Sequence, residues 1–206
     1  MLKQDFKKIH KELYAAKASM SAVVKVPAMQ YLAISGQGDP NTSLEYKAAI
    51  ETLYPVAYKI KFTVKKKLNK DYCVMPLEGL WWMKDMKQFS IANKADWLWT
   101  ALIMQPDYIT PEIFQTALAE VKSKKEPPAL NKIKLITLNE GSAAQIMHVG
   151  PYSTEKATIE KMHHFIKEAG HKFNGRVQKH HEIYLGDPRK TAPEKLKTII
   201  RQPFVD

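Results

Sequence analysis

One order of elements occurs twice in the chain, and it constrains the fold more than any single motif does. "AMQYLAISGQGDP" reads as a strand ending in a glycine turn; "NTSLEYKAAIETLY" then reads as a helix and "DYCVMPLEGLWW" as a second strand. In the second half, "SAAQIMHVGPY", "STEKATIEKMHHFIKEAG" and "RVQKHHEIYLGDPR" repeat the order. "SGQGDP" matches "HVGPYS", and "PLEGLW" matches "HHEIYL". A repeated strand-helix-strand unit predicts an α+β fold, with two duplicated modules about a pseudo-two-fold axis. Their strands would form an antiparallel sheet with helices on one face and a ligand cleft on the other. The modules would span about 25–104 and 133–206 of a single domain covering 1–206, with 1–24 as an N-terminal helix and lead-in.

Punctuation residues set the expected element ends. Phe6, Ile9 and Leu13 lie at helical spacing, so residues 2–15 read as one amphipathic helix. Thr42 or Ser43 is the expected cap of the next helix, which Pro55 should kink or divide. "DWLWTALIMQPDY" reads as a strand. Thr110 and Pro111 open a helix that Pro127 and Pro128 stop. Ser153 is the expected cap of the helix ending at Gly170, with Ile159, Met162 and Ile166 on one face. "TAPEKLKTIIRQP" reads as a short closing helix, with Thr191 and Glu194 as its capping box.

Several function classes fall away. No run of 18 apolar residues exists, so no membrane partner is expected. "MLKQDFKKIHKELYAAK" lacks the apolar segment of a secretory signal, and the single cysteine, Cys73, cannot form an intrachain disulfide. A cytoplasmic location is the simplest expectation. The net charge is +11, but the lysine clusters "VKKKLNK" and "VKSKKEPP" sit where elements end, as solvated surface does. Without a nucleic-acid-binding signature, no direct nucleic-acid contact is expected. His163 with His164 and His180 with His181 are adjacent pairs whose side chains diverge, so no metal site and no cofactor are expected. "SGQGDP" lacks the further glycine and lysine of nucleotide loops and reads as a turn.

The carboxylates inside strands stand out, because lone acids are disfavoured there and costly to bury. Strand parity puts His180, Glu182 and Tyr184 on one side and Ile183 and Leu185 on the other. The same parity in the first copy puts Glu78, Leu80 and Trp82 on the helix-free face, and Trp97 and Trp99 share a face. Glu182, Glu78, Tyr184, His148 and the tryptophans would then gather in one aromatic site.

The segments "PLEGLWW", "QPDY", "AAQIMHVGPYSTE" and "HHEIYLGDPRKTAPEKLKTIIRQP" resemble those of stand-alone GyrI-like proteins, relatives of the effector-binding domains of multidrug transcription regulators. The likeness runs from about Lys25 to the C-terminus. It implies two related α+β modules with an aromatic-lined pocket between them, and a ligand-facing glutamate at Glu182. In the regulators this acid pairs with cationic drugs. Some stand-alone members are hydrolases that open the cyclopropane ring of cyclopropanoid DNA-alkylating natural products, which protects the cell. For that reaction the resemblance implies Glu182 as the group acting on water. Tyr184, Tyr54, Tyr108 or His148 would donate to the substrate oxygen, and Trp82, Trp97 and Trp99 would stack on an aromatic or amphipathic ligand, with Glu78 nearby. The alternatives are a non-catalytic drug-sequestering protein and a protein that shields DNA gyrase.

Overall fold

The computed structural model describes residues 2–86, 91–124 and 126–206. The chain opens with the short strand β1 (Lys3–Gln4), the one-turn helices α1 (Phe6–Ile9) and α2 (Lys11–Tyr14), and β2 (Ala22–Val26). β3 (Met29–Gln37) leads into the long helix α3 (Leu44–Leu68), followed by β4 (Asp71–Tyr72) and β5 (Leu77–Trp82). After a 3-10 turn over Ile91–Asp96 come β6 (Leu98–Gln105) and α4 (Pro111–Lys124). β7 (Lys134–Leu138), β8 (Gly141–Val149), α5 (Lys156–Glu168), β9 (His180–Tyr184) and β10 (Lys197–Pro203) complete it.

This is an α+β fold around an antiparallel sheet of order β2-β8-β10-β9-β5-β6-β3-β7. The duplication is visible in the element starts. β2, β3 and α3 begin at 22, 29 and 44, and β7, β8 and α5 at 134, 141 and 156, a constant separation of 112. β5 and β9 pair at the centre of the sheet, where the two copies meet. β2 and β3 lie far apart in the strand order, yet only Pro27 and Ala28 separate them in the chain. Val26 and Met29 can be at most roughly 11 Å apart, so the sheet must curl until its ends meet. β2–β3 and β7–β8 are thus two bent strands in one continuous register, from Ala22↔Gln145 and Val26↔Gly141 to Met29↔Leu138 and Ala33↔Lys134.

Each helix forms where an apolar stripe can be buried. Ser43 caps α3 by accepting from the Tyr46 N–H, and Ala49, Leu53, Val56, Ala57, Ile60 and Val64 of its inner face are fully buried. Pro55 does not divide α3, which is assigned without a break from Leu44 to Leu68. Proline removes one donor, but Pro55 and Glu51 lie on the exposed side, where water can satisfy the carbonyl left over. Met162 and Ile166 of α5 pack with Ala144, Ile146 and Ile200, and Ile159 adds to that cluster.

Three local expectations are corrected. The N-terminal helix is broken at His10 (φ −103°, ψ 50°), so Phe6 and Leu13 are buried while Ile9 is exposed. Ser153 lies in a 3-10 turn, and the residue at the N-cap of α5 is Glu155. The closing helix is instead a 3-10 turn over Pro193–Lys195 followed by β10. Leu196, Ile199 and Ile200 mimic helical spacing, but β10 is buried on both faces between β8 and β9, and pairing there overrides the local pattern. β2 and β7 were not expected either.

Register also fixes the faces. Gly36, Trp99, Trp81 and His180 lie in one cross-strand line, as do Gly79, Glu182, Ile200 and Ile146. Both lines look toward α3 and α5, so Glu182 faces the helices and the helix-free cleft expected from parity is not where the site lies. Glu78 pairs with Ile183 and points to the opposite face, which α1 and α2 cover.

On that opposite face a dry polar network crosses the centre of the sheet. The Tyr14 hydroxyl donates to Glu78 Oε1 at 2.9 Å, and His181 sits 2.9 Å from Glu78 Oε2 through Nε2 and 2.9 Å from Glu140 Oε1 through Nδ1. Arg201 donates to Glu140 Oε2 at 3.1 Å and to the Leu13 carbonyl at 2.8 Å. An imidazole with a carboxylate oxygen at each nitrogen is doubly protonated. Burial opposes that charge on His181, but Glu140 and Glu78 outweigh burial and raise its pKa to about 9. Burial would likewise raise Glu140, but His181 and Arg201 prevail and lower it to about 2.

His181 contributes stability that is complete below its ordinary pKa of 6.5 and lost as pH rises through about 9. The Glu140 contribution is complete above 4.5 and lost as pH falls toward about 2. Denaturant titration is therefore expected to show a plateau between those ordinary values. His181→Ala should cost about 3–5 kcal/mol, because it leaves buried carboxylates uncompensated. A change under 1 kcal/mol would contradict this account.

Candidate functional site

A cleft of ≈ 1410 Å³ opens on the helix-bearing face where the two copies meet. From α3 come Tyr46, Ile50 and Tyr54, which the i, i+4 spacing stacks along one side of the helix. β5 supplies Trp81, the residue before β6 supplies Trp97, and β9 supplies His180, Glu182 and Tyr184. Tyr152 and Glu155 close the far wall from the turn that starts α5.

The aromatic rings brace one another. Trp81 meets Trp97 at 5.7 Å between centroids and Tyr46 at 5.6 Å, and Tyr152 meets Tyr184 edge-on at 5.6 Å. Such pairs fix ring planes as well as burying area. Polar groups form a chain along the floor. Trp81 Nε1 donates to the Tyr184 hydroxyl at 3.1 Å, and that hydroxyl donates to Glu182 Oε2 at 2.7 Å. His180 Nε2 lies 3.0 Å from Glu182 Oε1, where an N–H on that nitrogen would donate to an ionised Glu182. Both Glu182 oxygens are thereby oriented, while 13% of its side chain remains accessible.

Burial, reinforced by the Glu182 charge, keeps Tyr184 protonated far above its ordinary range. Burial raises Tyr54 as well, and burial followed by Glu155 and Glu182 pushes Tyr152 up to about 12. These three phenols are neutral hydroxyls near pH 7. Burial and then the Glu182 carboxylate raise Glu155 to about 9. Two acids in one cleft thus differ in environment, the pattern that separates an acid role from a base role. Among the described residues, no group of three or more His, Cys, Asp or Glu side chains could hold a metal ion.

Of the residues singled out from sequence, the structure places Glu182, Tyr184, Tyr54 and Trp97 on the cleft. The others lie elsewhere. Trp99 is fully buried beneath Tyr46, with ring centroids 5.0 Å apart, and belongs to the core. Trp82 points to the opposite face, where the Lys179 ammonium sits 3.7 Å from its ring centroid. Glu78 belongs to the dry network. The Tyr108 hydroxyl donates to Gln4 at 3.0 Å, near Tyr72 and away from the cleft. His148 is spent on the start of α5, 3.0 Å from Thr158 Oγ1 and 3.2 Å from the Pro151 carbonyl.

The family pattern of the GyrI-like small molecule binding domain matches residues 20–204. The chain belongs to the GyrI-like family. No curated protein matches it. The crystal structure of an uncharacterized conserved protein from Listeria innocua is 41% identical, with a TM-score of 0.91 over 98% of this chain and 100% of that one. A protein from the same organism described as a hydrolase is 39% identical, with a TM-score of 0.86 over 98% and 100%. The C-terminal domain of EcmrR, at 11% identity, has a TM-score of 0.56 over 91% of this chain and 98% of that one, and shares the fold alone. GyrI-like domains bind small molecules, and this one carries an aromatic-lined cleft with a few convergent polar groups.

The sequence patterns single out neither Tyr46, Tyr152 and Glu155, which lie on helices and turns, nor Trp81, and for Trp81 of this GyrI-like domain the cause is a slip in register. Matching Glu78 with Glu182 by letter offsets the two copies by one residue. β5 starts at Leu77 and β9 at His180, so the third residues of the two strands are Gly79 and Glu182, which also face each other across the ladder. A one-residue slip exchanges every inward side chain for an outward one.

Gly79 also clears space beside Glu182. A Cβ there would lie 2.8 Å from Trp81 Nε1 and 3.1 Å from the Tyr184 hydroxyl. Gly79→Ala is expected to break the Trp81–Tyr184 bond at a cost of about 1–3 kcal/mol. The near-ultraviolet circular dichroism of the aromatic cluster should change while the far-ultraviolet spectrum stays the same. An unaltered near-ultraviolet spectrum would refute the tight fit.

Proposed function

We propose that this GyrI-like domain is a hydrolase that adds water to the cyclopropane ring of cyclopropanoid DNA-alkylating natural products, acting in the cytoplasm to protect the cell. One observation carries the reading: a glutamate with both oxygens oriented, set in the floor of an aromatic cleft. The 39% identity to a Listeria innocua protein described as a hydrolase supports it.

The chemistry follows from the substrate's bonding. Its cyclopropane is fused to a conjugated dienone, so breaking a ring bond sends an electron pair to the dienone oxygen and yields an aromatic phenol. Water attacks the ring carbon as Glu182 takes its proton, a step worth ~10²- to 10⁴-fold when the base is positioned. Tyr184 orients Glu182, because its single proton already goes to Oε2. Tyr54 stands on the α3 wall as a neutral hydroxyl beside the ligand. Trp81, Trp97 and Tyr46 offer ring faces and edges to a flat polycyclic compound.

Incubation with yatakemycin followed by mass spectrometry tests the reading. Wild type should give a product heavier by one water, and Glu182→Gln should slow its appearance ~10²- to 10⁴-fold with the fold intact. Intact drug with wild type, accompanied by tryptophan quenching, would replace hydrolysis with sequestration.

A further inference from the structure

Glu155 is a buried acid that the fold does not use. It stands at the N-cap of α5, yet its side chain makes no capping bond. The residue is 5% exposed, it lines the cleft, and Oε1 is buried with no hydrogen-bond partner among the described residues. A buried acid that does not cap its helix and has one oxygen unpaired costs stability, and native interiors rarely keep one without a use. Its titratable and polar surroundings come from four elements: Glu182 and Tyr184 on β9, Thr198 on β10, Lys94 in the turn before β6, and Tyr152 in the turn before α5. Burial and Glu182 favour the neutral form of Glu155, whereas the Thr198 hydroxyl and Lys94 favour the charged form and are outweighed. The Tyr184 proton is committed to Glu182, so that hydroxyl cannot donate to a ligand.

We propose that Glu155 is the hydrogen-bond donor that selects the ligand: held as the carboxylic acid, it donates to a carbonyl-type oxygen on a flat, neutral aromatic molecule. The raised pKa of about 9, caused first by burial and then by the Glu182 carboxylate, keeps that proton in place at neutral pH. Placed on an apolar wall opposite an oriented carboxylate, such a donor makes the cleft prefer a neutral carbonyl compound over one that is merely flat.

The catalytic extension rests on the hydrolytic reading above. As the C–O bond to water forms and the cyclopropane C–C bond breaks, the electron pair reaches the dienone oxygen, which takes the Glu155 proton. Glu182 takes the proton from water. Proton exchange from Glu182 to Glu155 through solvent restores both groups, and the net change is addition of one water.

Binding tests the donor without requiring turnover. The full-length protein is titrated with fluorenone, a flat neutral ketone, and with fluorene, which lacks the oxygen, following tryptophan quenching at pH 7 and pH 10. Wild type should prefer fluorenone by about tenfold at pH 7, the worth of one net hydrogen bond, and lose that preference at pH 10. Fluorene affinity should stay constant and so report an intact cleft. Glu155→Ala should abolish the preference. Glu155→Gln, which keeps an N–H donor, should retain it at both pH values. Equal affinity for the two probes in wild type at pH 7, or no saturable fluorenone binding, overturns the proposal. So does a preference that survives in Glu155→Ala. Should either variant misfold, the wild-type comparison across pH decides alone. Yatakemycin turnover without a fluorenone preference would leave hydrolysis standing and remove Glu155 as the donor.

Discussion

The antiparallel pairing of β5 with β9 is the constraint on which the rest of the molecule depends. It joins the two copies at the centre of the sheet, and its register, Gly79 against Glu182 and Trp81 against His180, assigns each neighbouring side chain to a face. A cleft can exist there because one copy contributes a glycine where the other contributes a carboxylate. The helices then define its walls, since α3 and α5 rise from equivalent places in the repeat and leave a gap above the seam.

Alternation along β9 also separates the side chains that hold the fold from those that line the cleft. His181 points into the dry network with Glu78, Glu140 and Arg201, where two carboxyl groups meet two cations and each finds hydrogen bonds. Glu182, the next residue, points into the cleft, where its bonds leave one edge for a ligand. Compensated charges on one side hold the strand in register and let the other side carry acids without a cationic partner on the strand. Within the cleft the difference continues: Glu182 is oriented by two partners, while Glu155 has one oxygen unpaired and is held neutral by burial and the Glu182 charge.

Much of the architecture was readable from residues. Ser43, Thr110 and Gly170 mark helix ends by chemistry that tertiary context seldom changes, and the repeated order announced the duplication. What escaped was long-range. Whether Lys197–Pro203 becomes helix or strand is settled by β8 and β9 on either side of it, which the local Leu196, Ile199 and Ile200 spacing cannot report. An acid within a strand demands an explanation, which marks Glu182 in the sequence, whereas the letter match of Glu78 with Glu182 is one residue out of step and gives Glu78 the wrong face. Glu155 gave no signal, since a glutamate in the first turn of a helix is commonplace and its burial depends on β9 and β10.

The bent strands that close the sheet have a consequence for how the protein comes into being. β2 leaves the ribosome early, but its partner, residues 141–145 of β8, follows only after more than half the chain has been made. Until then the first copy exposes an unpaired edge and the floor of a cleft with no far wall. Synthesis therefore delivers a half-molecule that cannot close on itself, and its final assembly waits on contacts between distant parts of the chain, which form slowly. A duplicated protein of this kind is not two small proteins joined by a linker: each half supplies the strand the other needs to finish.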